Sequence, residues 1–157
     1  MMLQAQQTAP HFKSVNQDQH TVQLSDFIGK QHVVLYFYPK DDTPGCTIEA
    51  NDFSTLSPAF NEANAVVIGV SKDNCASHQA FINKFNLQLH LLADTDGSVC
   101  AAYDVWQEKE KNGEKKMGIV RSTFLINKNG VLEAALYGVS PEGHAADMLA
   151  RVKALGV

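Results

Sequence analysis

The chain has 157 residues, of which 45% are apolar and 19% are charged, and its formal net charge is −4. This length fits one ordinary domain with a substantial core, so we expect a single domain over residues 1–157. The negative charge and the lack of a long run of Lys or Arg make nucleic acid and anionic membranes poor partners. No stretch approaches about 18 apolar residues, so no membrane span is expected.

The N-terminal sequence and the cysteines bear on the compartment. "MMLQAQQTAPHF" (1–12) has no charged start followed by an apolar run, so it does not read as a secretory signal. The cysteines are Cys46, Cys75 and Cys100, an odd set without a Cys-x-x-Cys pair or zinc-ligand spacing. We therefore expect a cytoplasmic protein without a disulfide framework, whose thiols are either reactive or plain core residues.

Predicted strands and helices alternate through the first two thirds of the chain. Continuous apolar runs are typical of strands that are buried on both faces, and helical spacing of apolar residues marks the helices between them. In chain order the predictions are a small hairpin turning near Asn16–Gln19, strand 32–38, helix 43–56, strand 65–71, helix 74–85, strand 89–94 and a short helix at 98–103.

The last third of the chain reads as a loop, a hairpin and a helix. The charged segment 108–116 is predicted to be a solvated loop or turn. Strands 119–126 and 131–138 flank the turn 127–130, where Asn129-Gly130 is a strong hairpin signal. A helix over 141–155 ends the chain. This order indicates a thioredoxin-like α/β fold, with a central mixed sheet flanked by helices and an N-terminal β-hairpin.

The segment "DDTPGCTIEA" (41–50) places a cysteine where its charge is favoured. Thr43 suits the N-cap and Pro44 the first helical position, so Cys46 takes the third position among unpaired N–H groups. The helix dipole favours a thiolate there by roughly 0.3–1 kcal/mol, or up to about 2 when partly buried. The Thr43 hydroxyl is expected to accept from a first-turn N–H and to donate to the sulfur or a bound oxygen. Pro39 and Pro44 would fix the backbone and keep bulk water partly away.

Arg121 is the one arginine inside the otherwise apolar strand "GIVRSTFLI". A buried arginine needs an anionic partner, and Glu49, one turn after Cys46, could hold the guanidinium while the thiolate shares it. Each feature alone has a plain alternative: Cys46 as an inert core thiol, Thr43-Pro44 as a helix start, Arg121 as a surface-edge arginine. Their combination favours chemistry at Cys46.

These residues resemble the active-site segment of the peroxiredoxins, whose pattern is Pro-x-x-x-Thr-x-x-Cys. In "YPKDDTPGCTIEA" the matching residues are Pro39, Thr43 and Cys46. The wording Thr-Pro-Gly-Cys-Thr-x-Glu is similar to the bacterioferritin comigratory protein, or peroxiredoxin Q, subfamily. Segments 69–73, 91–106 and 121–126 resemble that subfamily in the expected order, so the likeness covers nearly the whole chain.

The resemblance implies a thiol-specific peroxidase that acts on hydrogen peroxide and organic hydroperoxides. Cys46 would be the peroxidatic cysteine that becomes a sulfenic acid. Thr43 would hydrogen-bond the peroxide, Pro39 would shield the sulfenic acid, Arg121 would stabilise the charge, and Glu49 would orient Arg121. Thioredoxin or another thiol donor would recycle the enzyme. No metal or organic cofactor is implied, and a monomer or weak homodimer is expected.

The resolving cysteine is the departure from the resemblance. Many members carry a second cysteine five residues after the first, where this chain has Asn51, and others carry it near the place of Ile82. Cys75, one heptad before Ile82, is the candidate here, although reaching Cys46 requires local unfolding. Cys100, expected to turn inward, and an external thiol are the alternatives.

Two further expectations complete the sequence predictions. His78 lies three residues after Cys75, a spacing that could bind metal, but it is expected to be an exposed helix residue. A function of another class stays open: a peroxide-oxidised redox sensor or holdase chaperone without turnover. Such a protein would react with peroxide about once and stop, whereas an enzyme consumes many equivalents.

Overall fold

The computed structural model describes residues 2–156. Its centre is a five-stranded sheet in the order β5-β4-β3-β8-β9, in which β3, β4 and β5 run parallel and β8 and β9 are antiparallel to their neighbours. The strands of this sheet are β3 (His32–Phe37), β4 (Ala65–Ser71), β5 (His90–Ala93), β8 (Ser122–Ile126) and β9 (Leu132–Tyr137). The predicted mixed sheet of a thioredoxin-like fold is confirmed.

Helices cover the sheet because both of its faces are apolar. Every residue of β3 is buried, and its side chains alternate between two core clusters on opposite faces. The first cluster is covered mainly by four helices and the second by the N-terminal segment and a short helix. The helices are α1 (Pro44–Thr55), α2 (Ser57–Glu62), α3 (Cys75–Phe85), α4 (Ser98–Ala102) and α5 (His144–Leu155).

Two small antiparallel ribbons stand outside the sheet. β1 (Lys13–Val15) pairs with β2 (Thr21–Gln23), and the turn between them lies where the sequence predicts it. A 3-10 turn follows at Leu24–Asp26. Within the described residues, no helix is long and apolar enough to cross a membrane.

The second ribbon corrects the prediction of a loop over 108–116. β6 (Trp106–Lys111) and β7 (Glu114–Ile119) form a hairpin that turns at Asn112 and Gly113, whose φ angles are +54° and +80°. Such a two-residue turn is typical of Asn-Gly. The prediction is wrong because most of the ribbon is exposed to solvent, so these strands lack the apolar alternation that marks a half-buried strand.

Two boundaries and one additional helix also differ from the predictions. Arg121 lies just before β8 rather than inside a strand, because residue 120 crosses from the ribbon to the sheet and bonds the carbonyl of Val105. The last helix begins at His144, after a turn in which Gly143 has a φ of +74°. Helix α2 was not predicted; Ser57 and Pro58 begin it directly after α1 ends.

Candidate active site

Helix α1 buries the sulfur of Cys46 in its first turn. Thr43 precedes the helix with an extended backbone (φ −101°, ψ 157°), and Pro44 occupies the first helical position. The N–H of Thr47 donates to the Thr43 carbonyl at 2.8 Å, which closes the first turn around Cys46. Cys46 is 1% exposed, so its sulfur lies below the surface at the amino end of a 12-residue helix.

Arg121 joins the sulfur to a buried carboxylate. Its Nη2 donates to Cys46 Sγ at 3.3 Å, and its Nη1 donates to Glu49 Oε1 at 2.7 Å. The Glu49 side chain is fully buried, whereas the Arg121 side chain is 15% exposed. The flat guanidinium therefore bridges two anion positions one helical turn apart, a geometry that an ammonium group does not reproduce.

Gly45 makes room for that guanidinium. A Cβ at this position would lie 3.2 Å from Arg121 Nη2 and 3.5 Å from Pro141 Cγ. A larger residue would therefore push either the guanidinium or the loop before α5 outward. The sequence analysis did not predict this close approach. The signal was present, because glycine is a poor residue for a helix and signals a close contact.

The charges at the site are held in a poorly solvated position. Burial raises the pKa of Glu49 to about 7, although Arg121 acts in the opposite direction. Burial alone would lower the pKa of Arg121, but Glu49 and Cys46 raise it above its ordinary value. Among the described residues, neither Glu49 Oε2 nor the hydroxyl of the buried Tyr36 has a hydrogen-bond partner. The guanidinium of Arg121 is therefore the cation that Cys46 and Glu49 share.

Thr43 and Pro39 lie in the segment between β3 and α1. The Thr43 hydroxyl donates to the Lys40 carbonyl at 3.0 Å and caps no N–H of α1, so the predicted capping bond is wrong. The side-chain orientation that donates to this carbonyl turns the Thr43 oxygen toward the preceding loop instead of toward the N–H groups of the first turn. Pro39 follows the buried Tyr38, two residues after the end of β3, and both Pro39 and Pro44 are exposed.

The other two cysteines occupy different environments. Cys75 is the first residue of α3, is half-buried, and donates from its sulfur to the Asn16 carbonyl at 3.4 Å. Cys100 is fully buried, as predicted, and burial together with Asp94 raises its pKa far above the ordinary value. All three cysteines are free thiols.

His78 is buried, which corrects the prediction of an exposed helix residue. Its Nε2 donates to the Leu92 carbonyl at 2.8 Å, and its Nδ1 lies 2.7 Å from Asp41 Oδ2. The spacing His78, Phe81, Phe85 places His78 on the inward face of α3, a signal that sequence reasoning missed. Across residues 2–156, no group of three or more His, Cys, Asp and Glu is arranged to hold a metal ion.

Comparison with known proteins decides the family. The model of the AhpC/TSA family matches residues 5–135. The chain belongs to the AhpC/TSA family. The Bacillus subtilis peroxiredoxin Bcp is 44% identical over 153 residues, which cover 98% of this chain and 97% of that relative. The resemblance to the bacterioferritin comigratory protein and peroxiredoxin Q subfamily is therefore confirmed.

Solved structures of AhpC/TSA proteins share this fold. A cysteine-to-serine mutant of Xylella fastidiosa PrxQ has a TM-score of 0.91 and 37% identity, covering 99% of this chain and 98% of that one. The Xanthomonas campestris bacterioferritin comigratory protein, solved as a trapped intermediate/ligand complex of alkyl peroxide reduction, has a TM-score of 0.86 and 38% identity, covering 92% and 91%. These relatives confirm the predicted class of function, a thiol peroxidase.

Proposed function

We propose that Cys46 is the peroxidatic cysteine and that it reduces hydrogen peroxide and organic hydroperoxides. The observation that carries this proposal is the single guanidinium of Arg121 shared by Cys46 Sγ at 3.3 Å and Glu49 Oε1 at 2.7 Å. A structural core thiol gains nothing from a buried cation, whereas a thiolate nucleophile and an oxyanion both do.

The chemistry transfers one oxygen atom to the sulfur. The Cys46 thiolate attacks the terminal oxygen of the peroxide, the S–O bond forms as the O–O bond breaks, and the sulfenic acid keeps the hydroxyl. The leaving alkoxide or hydroxide takes up a proton and departs as alcohol or water. Arg121 Nη2 and the N–H groups of Gly45 and Cys46 stabilise the negative charge as it spreads over both oxygens.

The remaining residues take positioning roles in this proposal. Glu49 holds the guanidinium in the plane that reaches the sulfur, and its burial supports that role because the pair has little freedom to swing. The Thr43 hydroxyl, which donates to the Lys40 carbonyl in the resting site, rotates to donate to a bound peroxide oxygen. Pro39 shields the sulfenic acid from above.

We propose that thioredoxin or another thiol donor recycles the sulfenic acid, with Cys75 as the candidate resolving thiol. Cys75 is half-buried and begins α3, so its sulfur needs only a local opening to become reachable. The alternative Cys100 is buried at 0% exposure and its pKa is raised, so it is poorly suited to attack. An external thiol resolves the sulfenic acid if Cys75 does not.

The test is peroxide consumption by the whole protein supplied with thioredoxin and its reductase. Many equivalents of peroxide per chain are expected from the wild type and from Cys100→Ser, and none from Cys46→Ser. Cys75→Ser slows turnover with thioredoxin if Cys75 resolves, and leaves it unchanged if an external thiol does. Consumption of about one equivalent by the wild type would instead indicate the redox sensor or holdase.

The compartment and the assembly state belong to the same proposal. Three free thiols and a thiol-dependent cycle fit the reducing cytoplasm. We expect a monomer or a weak homodimer and no nucleic-acid or membrane partner. Cell fractionation tests the first expectation, and sedimentation at several protein concentrations tests the second.

A further inference from the structure

The Cys46 sulfur has to serve two different reaction partners. It is 1% exposed in the resting site. A peroxide brings a slender two-oxygen group to it, but a resolving thiol brings a whole polypeptide or a second cysteine to within disulfide distance. The first turn of α1 therefore has to open between the two reactions, and whatever holds that turn closed sets when the second reaction begins.

The segment 38–43, between β3 and α1, is fastened to the start of α3 through Asp41. Asp41 Oδ2 lies 2.7 Å from His78 Nδ1 and accepts from the Ser77 hydroxyl at 2.8 Å. Asp41 Oδ1 accepts from the Tyr38 hydroxyl at 2.6 Å. The side chains of His78 and Asp41 are 0% and 4% exposed. We call the contact between these two side chains the His78–Asp41 latch.

Both residues of the latch have further hydrogen bonds to the surrounding structure. His78 Nε2 donates to the Leu92 carbonyl and its Nδ1 lies against Asp41 Oδ2, so each ring nitrogen has an oxygen partner within hydrogen-bond distance. The Asp41 N–H donates to Asp73 Oδ2 at 2.8 Å, and that oxygen also accepts from the Ser71 hydroxyl. Buried networks in which each member is satisfied hold one conformation strongly, because opening them leaves buried polar groups unpaired.

The position of the latch couples it to both cysteines. Asp41 is five residues before Cys46 and two before Thr43, so a displacement of the first turn of α1 reaches Asp41 through a short stretch of backbone. His78 is three residues after Cys75 on the same helix. Opening the first turn of α1 toward a thiol therefore has to break the latch or carry the start of α3 with it.

We propose that the His78–Asp41 latch keeps the Cys46 site closed while peroxide is reduced, and so sets how fast the sulfenic acid is presented to a resolving thiol. His78 and Asp41 are positioning residues, since neither touches the sulfur. The inference rests on the proposed function and adds to it a second pair of residues with a separate kinetic effect.

The latch then decides between two fates of the sulfenic acid. In the closed site a second hydroperoxide oxidises it: Cys–SOH and ROOH give Cys–SO₂H and ROH. In the open site a thiol condenses with it: Cys–SOH and RSH give Cys–S–S–R and water. A weaker latch shifts the partition toward the disulfide and protects the protein from sulfinic acid.

The test measures this partition in the full-length chain. In a Cys75→Ser background, the protein is oxidised with one equivalent of hydrogen peroxide and the sulfenic acid is captured with 2-nitro-5-thiobenzoate, whose mixed disulfide is followed by colour and intact mass.

His78→Gln keeps one donor for the Leu92 carbonyl but cannot bond Leu92 and Asp41 at the same time. We expect it to speed capture about tenfold, since it removes a buried hydrogen bond to the Asp41 carboxylate. The peroxide concentration that gives half sulfinic acid rises in parallel.

The matched control is Lys84→Gln. Lys84 Nζ bonds Asp42 Oδ2 at 2.7 Å, so it joins the same helix to the same segment, but the two side chains are 58% and 44% exposed. We expect the capture rate and the peroxide concentration for half sulfinic acid to stay within about twofold of the wild type, because exposed ion pairs contribute little. Asp41→Asn is the second latch variant. It keeps the shape of the side chain, and its amide can donate to a neutral His78, so an intermediate rate is expected.

Each result bears on one of two proposals. If no sulfenic acid forms on Cys46 in any variant, the proposed peroxidase site is wrong. If it forms but a folded His78→Gln or Asp41→Asn protein is captured at the wild-type rate, or gains sulfinic acid faster, the latch is overturned and the peroxidase site stands. Should His78→Gln fail to give a native circular dichroism spectrum, Asp41→Asn alone decides: capture at the wild-type rate refutes the latch.

Discussion

The buried carboxylates of Glu49 and Asp41 differ in their hydrogen bonding, and their pKa values shift in opposite directions. Glu49 keeps one oxygen without a hydrogen-bond partner among the described residues, and burial raises its pKa to about 7. For Asp41, burial also opposes ionisation, but the bonds from His78, Tyr38 and Ser77 outweigh it and the pKa falls below the ordinary value. The first carboxylate shares its cation with a sulfur, whereas the second is fully bonded.

This difference separates the reactive part of the site from the part that holds it. A guanidinium completely neutralised by Glu49 would have little attraction left for a thiolate or a developing oxyanion. Because Glu49 engages only Nη1, Nη2 remains directed at Cys46 Sγ. Asp41 has no such duty, so its bonds can all serve to fix the loop. Incomplete pairing thus occurs where charge changes during the reaction, and complete pairing where conformation is kept.

Replacing the shared guanidinium is expected to have the largest effect on the reaction. We expect Arg121→Lys to lower the rate constant for peroxide reduction about 10²–10³-fold, comparable to the loss of one oxyanion donor. An ammonium group is a single point charge and cannot donate to Cys46 and Glu49 in one plane. Stopped-flow oxidation of the reduced protein measures the rate, with Arg151→Lys as the control. A loss below threefold would contradict the shared-cation account.

Removing the fully bonded carboxylate is expected to affect stability more than the reactive one. Asp41→Ala should lower the free energy of unfolding by about 3 kcal/mol, because it leaves His78, Tyr38 and Ser77 without their buried acceptor. Glu49→Gln should lower it by less, since the amide oxygen can still accept from Arg121. Urea unfolding of both variants measures the two values. Equal losses would show that the two carboxylates are not distinguished by their bonding.

The residues around Cys46 were more predictable from the sequence than the His78–Asp41 latch. The sequence indicates Cys46, Glu49 and Arg121 together because helix spacing, capping residues and an arginine beside apolar residues are local signals. Distance in the chain did not hide Arg121, since a buried cation demands an anion wherever it lies. The parallel order of β3 and β4 also followed from their apolar runs and the helix between them.

The latch could not be predicted in the same way. Asp41 precedes a helix and reads as an ordinary turn residue. Helical spacing with Phe81 indicates that His78 is buried, but it does not indicate which side chain His78 contacts. Their contact depends on how α3 is rotated, which is fixed by Phe81 and the packing under it rather than by either residue. The β6–β7 ribbon was not predicted because its strands are mostly exposed, so they lack the alternation of apolar and polar residues that marks a half-buried strand.

The comparison is sharpened further by the dependence of stability on pH. A free glutamate has a pKa near 4.5, and Glu49 has one of about 7, so between these values the folded state holds a proton that the unfolded state has lost. Stability contributed by this group therefore falls by at most about 1.4 kcal/mol per pH unit as pH rises from 4.5 to 7, and it levels off above 7.

Asp41, with its lowered pKa, acts in the opposite sense, and its contribution is lost only as pH falls below the range of a free aspartate. Glu49→Gln should thus flatten the curve of unfolding free energy against pH between 5 and 7, whereas Asp41→Asn should remove the contribution of this carboxylate to the acid limb. Urea midpoints at half-unit steps of pH measure both curves, and a Glu49→Gln curve that still falls toward pH 7 like the wild type would show that the proton resides elsewhere.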